Sequence, residues 1–316
     1  TVAQSTAVST TVAAPESSTT STVAEEPATW RRLADMGVAR GELQAVALDG
    51  LIYTAGGLSG SLTGRVVAHD AFEVYDPSAD EWSPLAPMPA PRHHAITAGH
   101  RAHVFVFGRY PAGRWEATTT AWRYNPASDR WTELADMPVP MAAGVAVAIE
   151  DTVYVVPGAG ASRTLWAYDA GEDWWQELAP PSEVRDHLSA AVLDGRVYVS
   201  GGRSSRGETA SVEAYDPATD AWSAAPPMVD RRSGHAMVAV GGRLYAVGGE
   251  LLSTSTTLRS VEMLDPASGQ WVRLGDLDRS VHGTSAVEIG GTIYLVGGAA
   301  TAGRADATGR MLALTP

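Results

Sequence analysis

The chain has 316 residues, 45% hydrophobic and 19% charged, with 32 Gly, no Cys and a formal net charge of -13. All 23 basic residues are Arg, which excludes Schiff-base chemistry and a Walker-type phosphate lysine, and without Cys there are no disulfides, thiolate nucleophiles or Cys zinc sites. An acidic chain with no basic tract is not built for nucleic acid, whose sequence-independent affinity comes from neutralising phosphates, and no run of about 18 apolar residues is present to predict a transmembrane helix.

Residues 1–28 hold twelve Ser or Thr, six Ala and no aromatic or basic residue. Such a segment buries too little surface to offset its ordering entropy, so it reads as a disordered Ser/Thr/Ala-rich spacer. Spacers of this kind hold exported domains away from a membrane, so the expected location is extracytoplasmic, secreted or tethered at the cell surface.

Residues 29–316 repeat. Apolar segments ending in Gly recur at Leu51–Gly57, Val104–Gly108, Val153–Gly158, Val197–Gly202, Leu244–Gly249 and Ile293–Gly298, giving six units of about 48 residues. A second signal keeps the same step, running Tyr75-Asp76-Pro77 to Trp82, Tyr124-Asn125-Pro126 to Trp131, Tyr168-Asp169 to Trp175, Tyr215-Asp216-Pro217 to Trp222 and Leu264-Asp265-Pro266 to Trp271. Each unit reads as four short strands. The first, rich in small residues, turns at Asp-Gly or Gly-Gly into an aromatic and β-branched second strand; a variable loop leads to the third, and an Asp-Pro turn to a fourth opened by Trp. Small first strands suit convergence on an axis, with Tyr and Trp filling the wider gaps further out.

The di-glycine after an aliphatic strand, with Tyr, Asp-Pro and Trp following in order, resembles the kelch repeat across residues 30–316, although Gly108-Arg109 and Gly158-Ala159 depart from Gly-Gly. The resemblance implies an all-β, six-bladed kelch-type propeller with one blade per repeat. The sixth unit ends at its third strand, Met311–Leu314, whereas Trp30–Met36 matches the fourth strands that begin at Trp82 and Trp131. The N-terminal strand is therefore expected to complete the last blade and remove an exposed edge.

A basic cluster precedes the first strand of nearly every blade: Arg40-Gly41-Glu42, Arg92-His93-His94, Arg185-Asp186-His187, Arg232-Ser233-Gly234-His235 and Arg279-Ser280-Val281-His282, with Met141-Ala142-Ala143 the exception. These positions are expected to converge at one channel mouth. In kelch proteins the loops after the second strands open on the same face, which would add Arg109, Arg203 and Glu250. An Arg-rich rim would grip carboxylates, so the expected partner is an acidic peptide, protein or anionic glycan, bound by a monomer at Arg40, Arg92, His94, Arg185, His187, Arg232, His235, Arg279, His282, Arg109 and Arg203. The alternative for each Arg or His is structural, bridging blades or capping carbonyls.

Acid/base candidates are His187, His235 and Glu42, with Asp186, His94 and His282 also available. No His-x-His or His-Glu-x-x-His spacing occurs, so neither metal nor cofactor is expected. The copper radical oxidases built on a kelch-type propeller need a Cys this chain lacks, and the Glu, Asp and His run of the plant specifier proteins is not found. Some bacterial six-bladed kelch proteins are sialic acid mutarotases, which makes an isomerase acting on an acidic sugar the alternative to a non-catalytic binding module; a structural propeller without a channel ligand is the third reading. Trp82, Trp131, Trp175, Trp222 and Trp271 stand at repeat positions and are assigned to packing. Trp115, in the loop Arg109–Thr120 beside Arg114 and Glu116, is a contact candidate.

Overall fold

The computed structural model describes residue 1 and residues 29–60, 66–111, 115–160, 162–304 and 306–316. Beyond Thr1, the N-terminal spacer lies outside these residues, as does Arg114. The described chain is all-β apart from one short 3-10 turn, Leu252–Thr254, and no helix in it is long and apolar enough to cross a membrane.

Six four-stranded antiparallel sheets form the blades. Taken from the axis outward, blade 1 is Gln44–Leu48, Leu51–Ala55, Phe72–Asp76 and Glu81–Pro84; blade 2 is Ile96–His100, His103–Phe107, Ala121–Asn125 and Arg130–Glu133; blade 3 is Val145–Ile149, Thr152–Val156, Leu165–Asp169 and Trp174–Leu178. Blade 4 is Ser189–Leu193, Arg196–Ser200, Val212–Asp216 and Ala221–Ala225; blade 5 is Ala236–Val240, Arg243–Val247, Ser260–Asp265 and Gln270–Asp276. Blade 6 is Ser285–Ile289, Thr292–Val296, Met311–Leu314 and the N-terminal Arg31–Arg32, paired Arg31 to Ala313 and Arg32 to Leu312. The expected closure is present. It gives the strand Met311–Leu314 an outer neighbour and seats Leu33 and Met36 in the core between blades 6 and 1.

The repeated Tyr, Asp and Trp form one clasp between neighbouring blades. The Tyr75 hydroxyl donates to Asp80 Oδ1 at 2.6 Å, the same oxygen accepts the Ala34 N–H at 2.8 Å, and the Trp82 indole donates to the Ala34 carbonyl at 3.0 Å. Ala34 follows the N-terminal strand, so this clasp ties blade 1 to blade 6. Tyr124, Asp129 and Trp131 repeat it on Ala86, Tyr168, Asp173 and Trp175 on Ala135, and Tyr215, Asp220 and Trp222 on Ala179. In blade 5, Leu264 and Gly269 stand where the others have Tyr and Asp, leaving only the Trp271 indole on the Pro226 carbonyl at 2.8 Å. These rings supply packing area and, through their polar ends, the register between sheets.

The six inner strands contact one another in a closed circle. They enclose a channel of about 490 Å³ lined mainly by Ala, Val, Gly, Ser and Thr. Small side chains are what this crowding admits. Gln44 crosses the channel wall, accepting from the Thr97 N–H at 2.7 Å and donating to the Gly144 carbonyl at 2.8 Å.

Candidate ligand site at the channel mouth

Where each blade's chain enters its inner strand, one residue adopts the left-handed conformation: Glu42, His94, Ala143, His187, Gly234 and Gly283, with φ from 51° to 59°. Their peptides form a closed circle of hydrogen bonds. The N–H of Glu42 donates to Gly283 O (2.8 Å), His94 to Glu42 O (3.1 Å), Ala143 to His94 O (2.9 Å), His187 to Ala143 O (2.9 Å), Gly234 to His187 O (2.8 Å) and Gly283 to Gly234 O (2.7 Å). Every backbone donor on the axis is thereby satisfied without water. The side chains of Glu42, His94, Ala143 and His187 line the cavity there.

This register corrects the expected arginine rim. The arginines stand two residues before the ring, on the blade side of the left-handed turn, and they are spent inside the blades. Arg40 is fully buried; it pairs with Glu73 and donates to the Gly56 and Ala71 carbonyls at 2.7 and 2.9 Å. Arg232 pairs with Glu262 and donates to Gly248 O at 2.8 Å. Arg185 pairs with Glu213 at 3.1 Å and donates to Ser211 Oγ at 2.8 Å. Arg92 is fully buried over the Trp122 indole. All four guanidiniums are thus engaged within their blades.

Three further expectations shift. The residue in register with these arginines in blade 6 is Val281, so Arg279 lies outside the pattern and is exposed. Arg109 packs 5.8 Å from the Trp122 ring and donates to Pro91 O, away from the mouth. His235 follows the ring position and turns into blade 4, sharing a hydrogen bond of 2.8 Å with Ser200 Oγ; burial and the nearby Arg232 and Arg185 hold it neutral.

The mouth itself is built from Glu42, His94, His187, His282, Arg203, Asp186 and Glu250. Glu42 Oε2 lies 3.2 Å from His94 Nε2 and 4.0 Å from His187 Nε2. Ala143, between the two histidines on the ring, is small enough for their imidazoles to meet edge to face, 4.8 Å between centroids. His282 Nδ1 lies 3.5 Å from Glu42 Oε1 and 3.3 Å from Glu250 Oε2, near enough for attraction but without hydrogen-bond geometry. Arg203 donates to Asp186 Oδ1 (2.9 Å), Glu250 Oε1 (3.2 Å) and His187 Nε2 (3.1 Å). The Cβ of an alanine at Gly283 would stand 2.7 Å from Glu42 Oε1, so this glycine makes room for the carboxylate.

The titration of these groups follows from burial set against opposite charge. Burial pushes the Glu42 carboxyl up, but His94, His282 and His187 together outweigh it and hold Glu42 well below the usual range. Burial lowers His94 to about 3 and its neighbour His93 to about 4 despite Glu42. At His282 burial acts downward and loses to Glu42 and Glu250, which raise it to about 9. Burial pushes Asp186 up, and contacts with His187 and Arg203 bring it below the normal value.

Beside the histidines sits an aromatic wall of which only Trp115 was expected. Trp115, 68% exposed, lies 5.0 Å from the His93 ring, 5.6 Å from His94 and 5.2 Å from Tyr110. Tyr110 and His93 were invisible as site residues because nothing local distinguishes a loop tyrosine or the middle residue of Arg92-His93-His94. Their signal is positional, one residue before the ring and one strand pair above it.

Comparison with known proteins fits this architecture. The family described as the KLHDC2/KLHL20/DRC7 Kelch-repeats domain matches residues 135–298, and the Kelch motif matches residues 39–89. Kelch-like protein 35 of Mus musculus is 32% identical over 184 residues, 58% of this chain and 30% of that protein. Beta-scruin of Limulus polyphemus is 38% identical over 79 residues, 25% of this chain and 8% of that protein. The chain thus spans under a third of the curated relatives it matches. Among solved structures, that of YjhT superposes with a TM-score of 0.75 and 17% identity, covering 90% of this chain and 95% of the other, a likeness of fold. Six repeats closed into six blades, with family matches over both halves of the ring, make this chain a member of the kelch-repeat family.

Proposed function

We propose that the protein is a non-catalytic binding propeller, exported and held by its Ser/Thr-rich spacer, whose ring face engages an acidic protein segment or anionic glycan. The observation that carries this reading is the separation of charge across the disc. Loops from a fourth to a first strand, and from a second to a third, open on the ring face. They expose Arg163, Arg206, Arg231, Arg259, Arg279 and Arg304 against Asp35, Asp70, Glu116 and Asp278. The turns of the opposite face carry Asp49, Asp76, Asp80, Asp129, Asp169, Asp173, Asp194, Asp216, Asp220 and Asp265, against Arg101, Arg130, Arg196 and Arg243. The ring face has an excess of arginine and the opposite face a large excess of aspartate, so an anionic chain is steered away from the second and toward the first. The gripping arginines are these outer ones, since Arg40, Arg92, Arg185 and Arg232 are engaged within the blades. Trp115 adds a stacking surface beside them.

The test uses a polyglutamate peptide and a sulfated oligosaccharide as probes. Binding should weaken with salt and fall at least about tenfold in an Arg206→Glu, Arg304→Glu double variant, while Arg196→Glu, Arg243→Glu on the opposite face leaves it unchanged. Equal affinity in both double variants would overturn the reading.

A second reading, isomerisation of an acidic sugar, has one specific observation in its favour. Glu42 is an ionised carboxylate touching a neutral imidazole, His94, at the channel mouth, the combination that acid/base transfer uses. Anomer exchange of sialic acid followed by NMR separates the two. Acceleration by the protein that disappears in Glu42→Gln would establish an enzyme.

A further inference from the structure

We propose that Glu42, His94 and His187 form a divalent transition-metal site on the propeller axis, a donor set of two imidazoles and one carboxylate. Each residue offers one ligand atom, and the three atoms lie within 4.8 Å of one another. The Glu42–His94 and Glu42–His187 separations of 3.2 and 4.0 Å bracket the edge of a coordination sphere whose metal–ligand bonds are about 2.0–2.1 Å. Three different blades supply the ligands.

The tautomers are arranged for coordination. Nδ1 of His187 is 2.7 Å from Asp186 Oδ1, and its Nε2 is 3.1 Å from a nitrogen of Arg203. A guanidinium only donates. The proton of His187 is therefore on Nδ1, shared with a carboxylate, and Nε2 presents a lone pair to the axis. This is the carboxylate–histidine pairing that orients metal-ligating imidazoles. His94 has the same freedom: its Nδ1 is 2.6 Å from His93 Nδ1, and His93 can donate or accept there, so the His94 proton can stay on Nδ1 while Nε2 faces Glu42.

Charge supplies an independent argument. Three carboxylates, Glu42, Asp186 and Glu250, meet at the mouth around one guanidinium, Arg203, with the His282 imidazole set between Glu42 and Glu250. His282 is 1% exposed; its Nε2 donates to Thr301 O at 2.9 Å and its Nδ1 is aimed, unpartnered among the described residues, between Glu42 and Glu250. The carboxylates outnumber the guanidinium at the mouth, which favours a bound cation beside Glu42. Arg203 holds the His187 lone pair when no metal is present and must withdraw when one binds. Trp115 and Tyr110 border His94 and the site is continuous with the channel, so positions on the metal stay available to water or a ligand.

The experiment titrates the untagged full chain with Co²⁺, read by its visible absorption, and with Zn²⁺, read by calorimetry, with Ca²⁺ as the hard-cation control. One equivalent of Co²⁺ and of Zn²⁺ should bind and Ca²⁺ should not. His187→Ala should abolish the signal, and Asp186→Asn should weaken it by about 10–100-fold. Arg203→Met should tighten it by removing the competing cation. His69→Gln, whose imidazole pairs with Ser59, should change nothing. Circular dichroism checks each fold, and Asp186→Asn together with Arg203→Met carries the test if a ligand variant misfolds. Absence of 1:1 binding, or binding indifferent to these substitutions, overturns the proposal.

Discussion

The Arg92 guanidinium lies 3.3 Å from the centroid of the Trp122 indole, at the position where the matching arginines of blades 1, 4 and 5 meet Glu73, Glu213 and Glu262. The same pair of positions holds Met141 and Trp166 in blade 3, and Val281 and Leu312 in blade 6. One site in the repeat thus accepts an ion pair, a cation over a ring, or an apolar contact.

That series predicts opposite outcomes for one substitution. Arg232→Met strands Glu262 in the core and should cost about 3–5 kcal/mol. Replacing both partners, as Arg232→Met with Glu262→Leu, should recover most of the loss. Arg92→Met should be neutral or stabilising, because all three guanidinium nitrogens lack hydrogen-bond partners among the described residues and blade 3 already uses Met beside Trp. Urea unfolding of the four proteins checks this.

The clasp makes stability fall in acid. The Tyr124 hydroxyl and the Ala86 N–H hold Asp129 below its ordinary value, and Asp80 is held down by Ala34 and Tyr75. Their carboxyls protonate more readily unfolded than folded, so the stabilisation is complete above the unfolded value, about 3.9, and is lost as pH falls through the folded value. Denaturation measured from pH 6 to pH 2 should show this decline, and Asp129→Asn should make it shallower while costing about 1 kcal/mol at pH 7.

Ring closure is testable by truncation. Deleting residues 29–36 removes the partner of Met311–Leu314, the buried Leu33 and Met36, and the Ala34 groups that Asp80 and Trp82 engage. The product should unfold or associate through its exposed edge. Deleting residues 1–27 should leave the melting temperature unchanged. Equal stability of the two truncations would refute the closure.

Two glycines of similar backbone conformation separate strain from crowding. Gly283 and Gly290 have φ of 57° and 59°, so an alanine meets the same backbone cost at each. At Gly290 its Cβ enters open space, and at Gly283 it meets Glu42. Gly283→Ala should be the more destabilising by roughly 1–3 kcal/mol, with weaker Co²⁺ binding if the metal site is correct.

The blades and their closure were legible in the sequence because each repeat writes its own strands locally. Asp-Gly and Asp-Pro mark the turns, small residues mark the inner strand, and Trp30 copies Trp82 and Trp131 closely enough to reveal a missing fourth strand. Glu42, His94, His187 and His282 were also legible as candidates, since they precede the inner strands. What the repeat could not say is which way a side chain leaves the backbone. Arg40 and Glu42 are two residues apart, yet the left-handed turn sends Glu42 to the axis and leaves Arg40 against Glu73. Nor does any local spacing show that His94 and His187, 93 positions apart, share one carboxylate. Local chemistry determined the six blades, and the closing of the ring decided which side chains meet, because a propeller brings the start of every repeat to one axis whatever its distance along the chain.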